Sequence, residues 1–171
     1  MNKFIKGETI YLRPVLESDA ERCVSWLNNQ ELTRFMEHGV FPQKLSDELN
    51  YIRNAKCMLA ICTLDDTHIG NIELKLSNSN TASISIIVGE RRGNGYGTEA
   101  VRLLVDHAFN RIPLDRITAG MVELNKSSSA IFEKNGFEKI GYGACFYTGG
   151  EYLLTVKYEL TRKEWKCNGT N

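Results

Sequence analysis

An apolar run at 82–88, a glycine cluster at 91–98 and a helical repeat of apolar residues behind it follow one another directly, and few folds accommodate that succession. The run Ala82-Ser83-Ile84-Ser85-Ile86-Ile87-Val88 is rich in β-branched residues and bounded by turn formers, so it reads as a strand. Val101, Leu104, Val105, Ala108 and Ile112 recur at helical spacing, which predicts a helix of about four turns starting near Gly97 or Thr98. Residues 117–124 read as another strand. Two strands joined through a helix lie parallel, with a right-handed crossover.

The remaining segments pair differently. Residues 8–13 form a strand that stops at Pro14, and Ser18-Asp19-Ala20-Glu21 carries the capping-box pattern of a helix running to about Asn29. A second short helix begins after Ser46 and ends near Asn54. Between them, residues 34–43 are irregular, broken by Gly39 and Pro42, and carry Arg34, Phe35, Glu37 and His38, the make-up of a specificity element. Strands at 58–64 and 69–76 are joined by Asp65-Asp66-Thr67-His68 and continue into the strand at 82–88 as an antiparallel meander. A helix at 126–135 closes on Gly136, and residues 137–142 and 152–160 form a last hairpin around Thr148-Gly149-Gly150. The expected fold class is therefore α/β (α+β), with a mixed sheet of about seven strands, mostly antiparallel around one parallel crossover.

Composition narrows the function. With 171 residues, 42% hydrophobic and 25% charged, and no linker or repeat, the chain reads as one domain over 1–171, with a core at about 8–166 and a tail at 167–171. Its 21 basic and 21 acidic residues leave no net charge, so no whole-molecule field draws in nucleic acid or an anionic membrane. The longest apolar stretches fall far short of the roughly 20 residues that span a bilayer, and the N-terminus has no signal-peptide core, which points to a cytoplasmic protein. The 5 cysteines (Cys23, Cys57, Cys62, Cys145, Cys167) are scattered without metal-ligand spacing, so free thiols and no metal are expected.

The stretch Arg91-Arg92-Gly93-Asn94-Gly95-Tyr96-Gly97-Thr98 joins a buried strand to a helix N-terminus, where unpaired amides and the positive end of the macrodipole converge. Glycines let the backbone approach an anion closely, and Arg91 and Arg92 add charge suited to two or more phosphates. A nucleoside-triphosphate loop would need a lysine after its last glycine, and none follows Gly97. A dinucleotide loop would need glycine where Thr98 stands, and would lie in a first strand-helix-strand unit.

The spacing Arg92-x-x-Gly95-x-Gly97 instead resembles the acetyl-CoA pyrophosphate loop of the GNAT superfamily of acyl-CoA-dependent N-acetyltransferases. Leu12-Arg13-Pro14 with Asp19 and Trp26-Leu27-Asn28 resembles the opening of its RimJ/RimL-like branch. Asn125-x-x-Ser128 with Glu133-Lys134-Asn135-Gly136-Phe137 resembles the late helix and turn, and Leu160-Thr161-Arg162-Lys163-Glu164-Trp165 the final strand end. The resemblance implies that strands 82–88 and 117–124 start side by side and splay into a wedge for the pantetheine arm. The backbone of Ile86, Ile87 and Val88 would pair with the pantetheine amides, and an N–H near Val88 would face the thioester oxygen. Residues 91–98 with Asn125, Ser128, Phe132 and Lys134 would complete the acetyl-CoA site, Lys126 and Arg102 being further cations in reach of its 3′-phosphate.

Transfer from a thioester to an amine asks for a neutral amine, a held oxyanion and a proton for the leaving thiolate. The family's usual tyrosine acid is replaced here by Phe132, and Ser128, one helical turn away and matching the serine of the RimL-like branch, is the expected proton donor or thiol hydrogen-bond partner, beside Asn125. For the base, the resemblance offers Glu123; Glu73 and His38 compete, and a water relay suffices for an amine of low pKa. A direct ternary-complex transfer is expected, with a route through Cys57 or Cys62 as the minor alternative. Arg34, Phe35, Glu37, His38 and Glu73 are the expected acceptor contacts. The stretch 26–35 resembles acetyltransferases of nucleotide-linked amino sugars, whereas the ribosomal-protein branch implies a protein N-terminal amine. A polyamine would need an acidic groove, for which Glu37, Asp47 and Glu48 are available. A homodimer and a non-catalytic acyl-CoA sensor are left open.

Overall fold

The computed structural model describes residues 3–36, 41–77 and 80–168. Eight strands form one sheet: β1 (Ile5–Lys6), β2 (Ile10–Pro14), β3 (Met58–Thr63), β4 (His68–Leu76), β5 (Thr81–Val88), β6 (Arg116–Val122), β7 (Glu138–Thr148) and β8 (Glu151–Thr161), in the order β1-β2-β3-β4-β5-β6-β8-β7. All neighbours are antiparallel except β5 and β6, the parallel pair expected from the sequence. The unexpected eighth strand is β1, only 2 residues long, whose pairing with β2 rather than any internal pattern makes it a strand.

The helices are α1 (Ala20–Leu27), α2 (Gln30–Thr33), α3 (Leu45–Asn54), α4 (Tyr96–Arg111), α5 (Lys126–Glu133) and α6 (Arg162–Asn168). The crossover helix α4 is 16 residues long and turns Ala100, Val101, Leu104, Val105 and Ala108 onto Ile72, Ile84 and Ile117 of the sheet. Val101 and Leu104 are fully buried, each contributing about 2 kcal/mol by removal from water.

The opposite face, under α1 and α3, is polar inside. Arg13 grips Asp19 with two hydrogen bonds of 2.7 and 2.9 Å, and Asp19 also accepts from the Leu16 amide at 2.8 Å. Asp19, not Ser18, therefore organises the start of α1, and a one-turn 3₁₀ helix (Glu17–Asp19) precedes it. Burial works to raise the Asp19 carboxyl, but His68, Arg13 and the Leu16 amide outweigh it and hold it well below the carboxylate range. On the same face Glu48 is buried beside Cys23, and burial pushes its carboxyl up.

Two strand ends depart from the sequence reading. β6 ends at Val122, where the Asn125 amide donates to the Val122 carbonyl at 2.9 Å and closes a turn, Glu123 keeping one main-chain bond to the Leu154 carbonyl of β8 at 2.9 Å. β7 runs on to Thr148 because Gly141 and Gly143, which look like breakers, are absorbed where its register shifts. No helix among the described residues is long and apolar enough to cross a membrane.

Candidate active site

β5 and β6 begin as neighbours and then separate. Their ladder joins Thr81, Ala82 and Ser83 to Arg116, Ile117 and Thr118 and stops there. Beyond that point β5 stays paired with β4 out to Val88, and β6 with β8 out to Val122, so each strand follows a different neighbour. Sheet twist then carries the two apart. The edge of β5 that faces β6 is left without a strand partner over 84–88 among the described residues. A cleft of about 430 Å³ fills the gap, with residues 84–88 along one wall and Gly120 and Met121 on the other.

Past Val88 the chain crosses the mouth of this cleft. Arg91, Gly93 and Gly95 take left-handed conformations, with φ of 51°, 85° and 81°. Gly95 is the N-cap of α4 and no side chain caps that end. The opening residues of the helix, Tyr96, Gly97 and Thr98, line the cleft together with Gly93 and Gly95. A Cβ added at Gly93 or Gly95 would meet no heavy atom within 4 Å. Main chain bent in this way at a helix N-terminus can cradle an oxyanion.

The side chains of the loop serve it differently from expectation. Arg91 turns back to the β3–β4 connection, pairing Asp65 at 3.0 Å and bonding the hydroxyls of Thr63 and Thr67 at 3.3 and 3.1 Å. It holds Asp65 well below the carboxylate range, with help from Thr63. Its guanidinium thus clamps the loop while Arg91 still lines the cleft. Asn94 does not line the cleft; its amide donates to the carbonyls of Arg91 and Arg92 at 2.9 and 3.4 Å. Arg92 does line it, 3.7 Å from Glu31. Lys134 lines it too, whereas Lys126 does not and Arg102 is turned to Glu8 at 3.5 Å.

At the base of the cleft stands the start of α5. Asn125 caps it, accepting the Ser128 amide at 3.2 Å and the Ser127 hydroxyl at 2.9 Å. Asn125, Ser128 and Phe132 all line the cleft, so capping and a site position coincide. Phe132 is buried against Phe137 at a ring separation of 5.2 Å. Asn135 ties the end of α5 to α4 through the Thr98 carbonyl at 3.1 Å.

The two described carboxylates put forward as bases are elsewhere. Glu123 sits in the turn after β6, paired with Lys139 at 3.0 Å, and does not line the cleft. Glu73 is buried behind Tyr51, whose hydroxyl donates to it at 2.5 Å, and it too stands outside the lining. Arg34 and Phe35 form part of the wall, while Glu37 and His38 lie outside the described residues. Sequence reasoning passed over Ser85, Gly120, Met121 and Ile131, all of which line the cleft. Ser85 alone carried a signal: it is a hydroxyl set among the isoleucines of the very strand expected to open.

Comparison with known proteins agrees with this geometry. Residues 9–138 match the model of the acetyltransferase (GNAT) domain. The probable N-acetyltransferase YjcK of Bacillus subtilis is 31% identical over 157 residues, spanning 80% of this chain and 84% of that one. Among solved structures, the fold superposes on spermidine N-acetyltransferase from Vibrio cholerae in complex with CoA and spermine, with a TM-score of 0.84 at 18% identity, over 94% of this chain and 99% of that one. RimL, the ribosomal L7/L12 alpha-N-protein acetyltransferase in complex with coenzyme A, gives a TM-score of 0.76 at 17% identity, over 91% and 95%. With the splayed strands, the uncapped helix and the glycine cradle in place, the chain belongs to the GNAT family and is an acetyltransferase whose donor is acetyl-CoA.

Proposed function

We propose that this enzyme binds acetyl-CoA first and passes the acetyl group directly to the primary amine of a small molecule, an amino group on a nucleotide-linked sugar being the leading candidate. The open edge of β5 beside the glycine cradle carries this reading. The main-chain amides at 93–98 hold the diphosphate, and the backbone at 86–88 pairs with the pantetheine amides as a further strand would. When bound, acetyl-CoA supplies an activated acyl thioester. An N–H on the open edge holds the acyl oxygen, a contact of the kind worth roughly 3 kcal/mol in acyl transfer.

Ser128 supplies the proton for the departing thiol: it lines the cleft, and its hydroxyl makes no hydrogen bond among the described residues. Because Glu123 is held by Lys139 and Glu73 by Tyr51, removal of the amine proton falls to water in the cleft. A relay through a thiol is disfavoured, since Cys57 and Cys62 do not line the cleft and burial pushes both up. The free thiols accord with a reducing, cytoplasmic setting.

The deciding experiment measures thiol release from acetyl-CoA with amino sugars, polyamines and N-terminal peptides as acceptors. Release with a small amine is expected; release with peptides alone would move the acceptor to a protein N-terminus. A flat response with intact CoA binding would leave an acyl-CoA sensor in place of an enzyme. In the same assay Ser128→Ala should lower kcat by about tenfold or more while sparing CoA affinity. An unchanged kcat would return Ser128 to its place in the first turn of α5.

A further inference from the structure

We infer that Arg34 recognises an anionic group, a phosphate or a carboxylate, on the acceptor. The inference rests on the transfer reading above and specifies its substrate class. Four cations line the described cleft, namely Arg34, Arg91, Arg92 and Lys134, against one carboxylate, Glu31. Three of these five charges are already committed. Arg91 is bound to Asp65, and Arg92 and Glu31 face each other at 3.7 Å. Lys134 is the C-cap of α5, on the same side as the diphosphate cradle.

Arg34 differs from Arg91, Arg92 and Glu31. It ends α2, within the wall formed by Leu32, Arg34, Phe35 and Met36. Its guanidinium lies over the Phe35 ring, 4.7 Å from the centroid. Arg13, Arg22, Arg53, Arg102 and Arg116 each pair with a carboxylate, but Arg34 has no such partner among the described residues. Stacking on an aromatic ring restrains a guanidinium while leaving its in-plane N–H donors free for a bidentate oxyanion.

Of the acids that would instead suit a polycation, the described ones are out of reach. Glu48, on α3, is buried beside Cys23 of α1, Asp47 does not line the cleft, and Glu73 is sealed behind Tyr51. A polyamine entering this cleft would meet positive charge with no uncommitted described carboxylate to offset it. An acceptor with an amine at one end and an anion at the other meets the opposite situation: its anion pairs with Arg34 and its amine is directed inward along the cleft.

The test compares glucosamine, glucosamine 6-phosphate, a UDP-linked amino sugar with a free amine, glucosaminic acid and spermidine, by kcat/KM for thiol release. The anionic acceptors should exceed glucosamine by about tenfold or more, and whether the phosphates or the carboxylate lead identifies the group being read. Arg34→Gln should erase that preference through KM, by about 10- to 100-fold, with CoA affinity held within twofold. Arg34→Lys should restore it in part, since the charge returns without the fork. Equal use of neutral and anionic amines, a preference for spermidine, or a loss of CoA affinity in Arg34→Gln would each overturn the inference. Should no amine be acetylated, the transfer reading is what fails. Calorimetry on the CoA-loaded protein then still decides about Arg34, which requires tighter binding of glucosamine 6-phosphate or glucosaminic acid than of glucosamine, lost in Arg34→Gln; equal binding sinks it.

Discussion

Two turns among the described residues hold a pair of left-handed glycines each, and one of the two lines the cleft. Gly93 and Gly95 have φ of 85° and 81°; Gly149 and Gly150 have φ of 60° and 89°. None of the four has a heavy atom within 4 Å of where a Cβ would stand. Gly149 and Gly150 close the hairpin between β7 and β8, whose backbones are already paired with each other from Thr148 and Glu151 onward. Gly93 and Gly95 lie between a strand edge that has lost its neighbour and a helix end that no side chain caps. Open space over a glycine becomes a binding site only where the surrounding main chain still has hydrogen bonds to give.

The sharpest way to break this comparison is Gly95→Val. The new side chain would occupy the cradle and force a branched residue into a left-handed conformation. CoA affinity, read by calorimetry, should fall by about 100-fold or more through loss of several contacts to charged oxygens, with circular dichroism still native. Retained affinity would mean that the diphosphate is gripped elsewhere.

A smaller effect is expected at Arg91→Ala, which leaves the cradle's atoms in place and removes the clamp to Asp65, Thr63 and Thr67. CoA affinity should weaken by up to about tenfold, because the loop must then be ordered on binding. The pH dependence has a definite sign. Since Arg91 depresses the Asp65 carboxyl in the folded protein, the pair's contribution is complete above the ordinary carboxylate value of about 4 and is lost as pH falls below it. Melting temperatures of wild type and variant should therefore differ at neutral pH and converge in acid. A gap that stays constant down to pH 3 would show that Asp65 is not the partner that matters.

Gly150→Ala provides the control from the other turn. It should cost about 1 kcal/mol of stability, from the left-handed backbone alone, and leave CoA affinity unchanged. A variant with weakened CoA binding would mean that the two turns are less separate than their surroundings suggest.

What could be read in the chain beforehand follows the range of each interaction. The strand at 82–88, the helix behind the glycines and the Gly149-Gly150 turn are local patterns, and the structure keeps them within a residue or two. Arg91 is expected at the phosphates because of its charge beside the glycines; its partner Asp65 is 26 residues away and meets it only when the sheet forms. The resemblance offers Glu123 as a base near the wedge; the structure pairs it with Lys139, 16 residues on, outside the cleft lining. Glu73 likewise stands outside that lining, held by Tyr51, 22 residues upstream on α3.

From its order of residues alone, the chain determined that a parallel strand-helix-strand unit with an anion-binding turn would sit inside an antiparallel sheet, because periodicity and glycine placement act over a few residues. The folded sheet decided the rest. It settled where β5 and β6 part, since each is held by a different neighbour on its far side. It also settled which charges face the cleft: Glu123 and Glu73, held by Lys139 and Tyr51 from distant parts of the chain, stand outside its lining, while Arg34 stands in it without a carboxylate partner among the described residues.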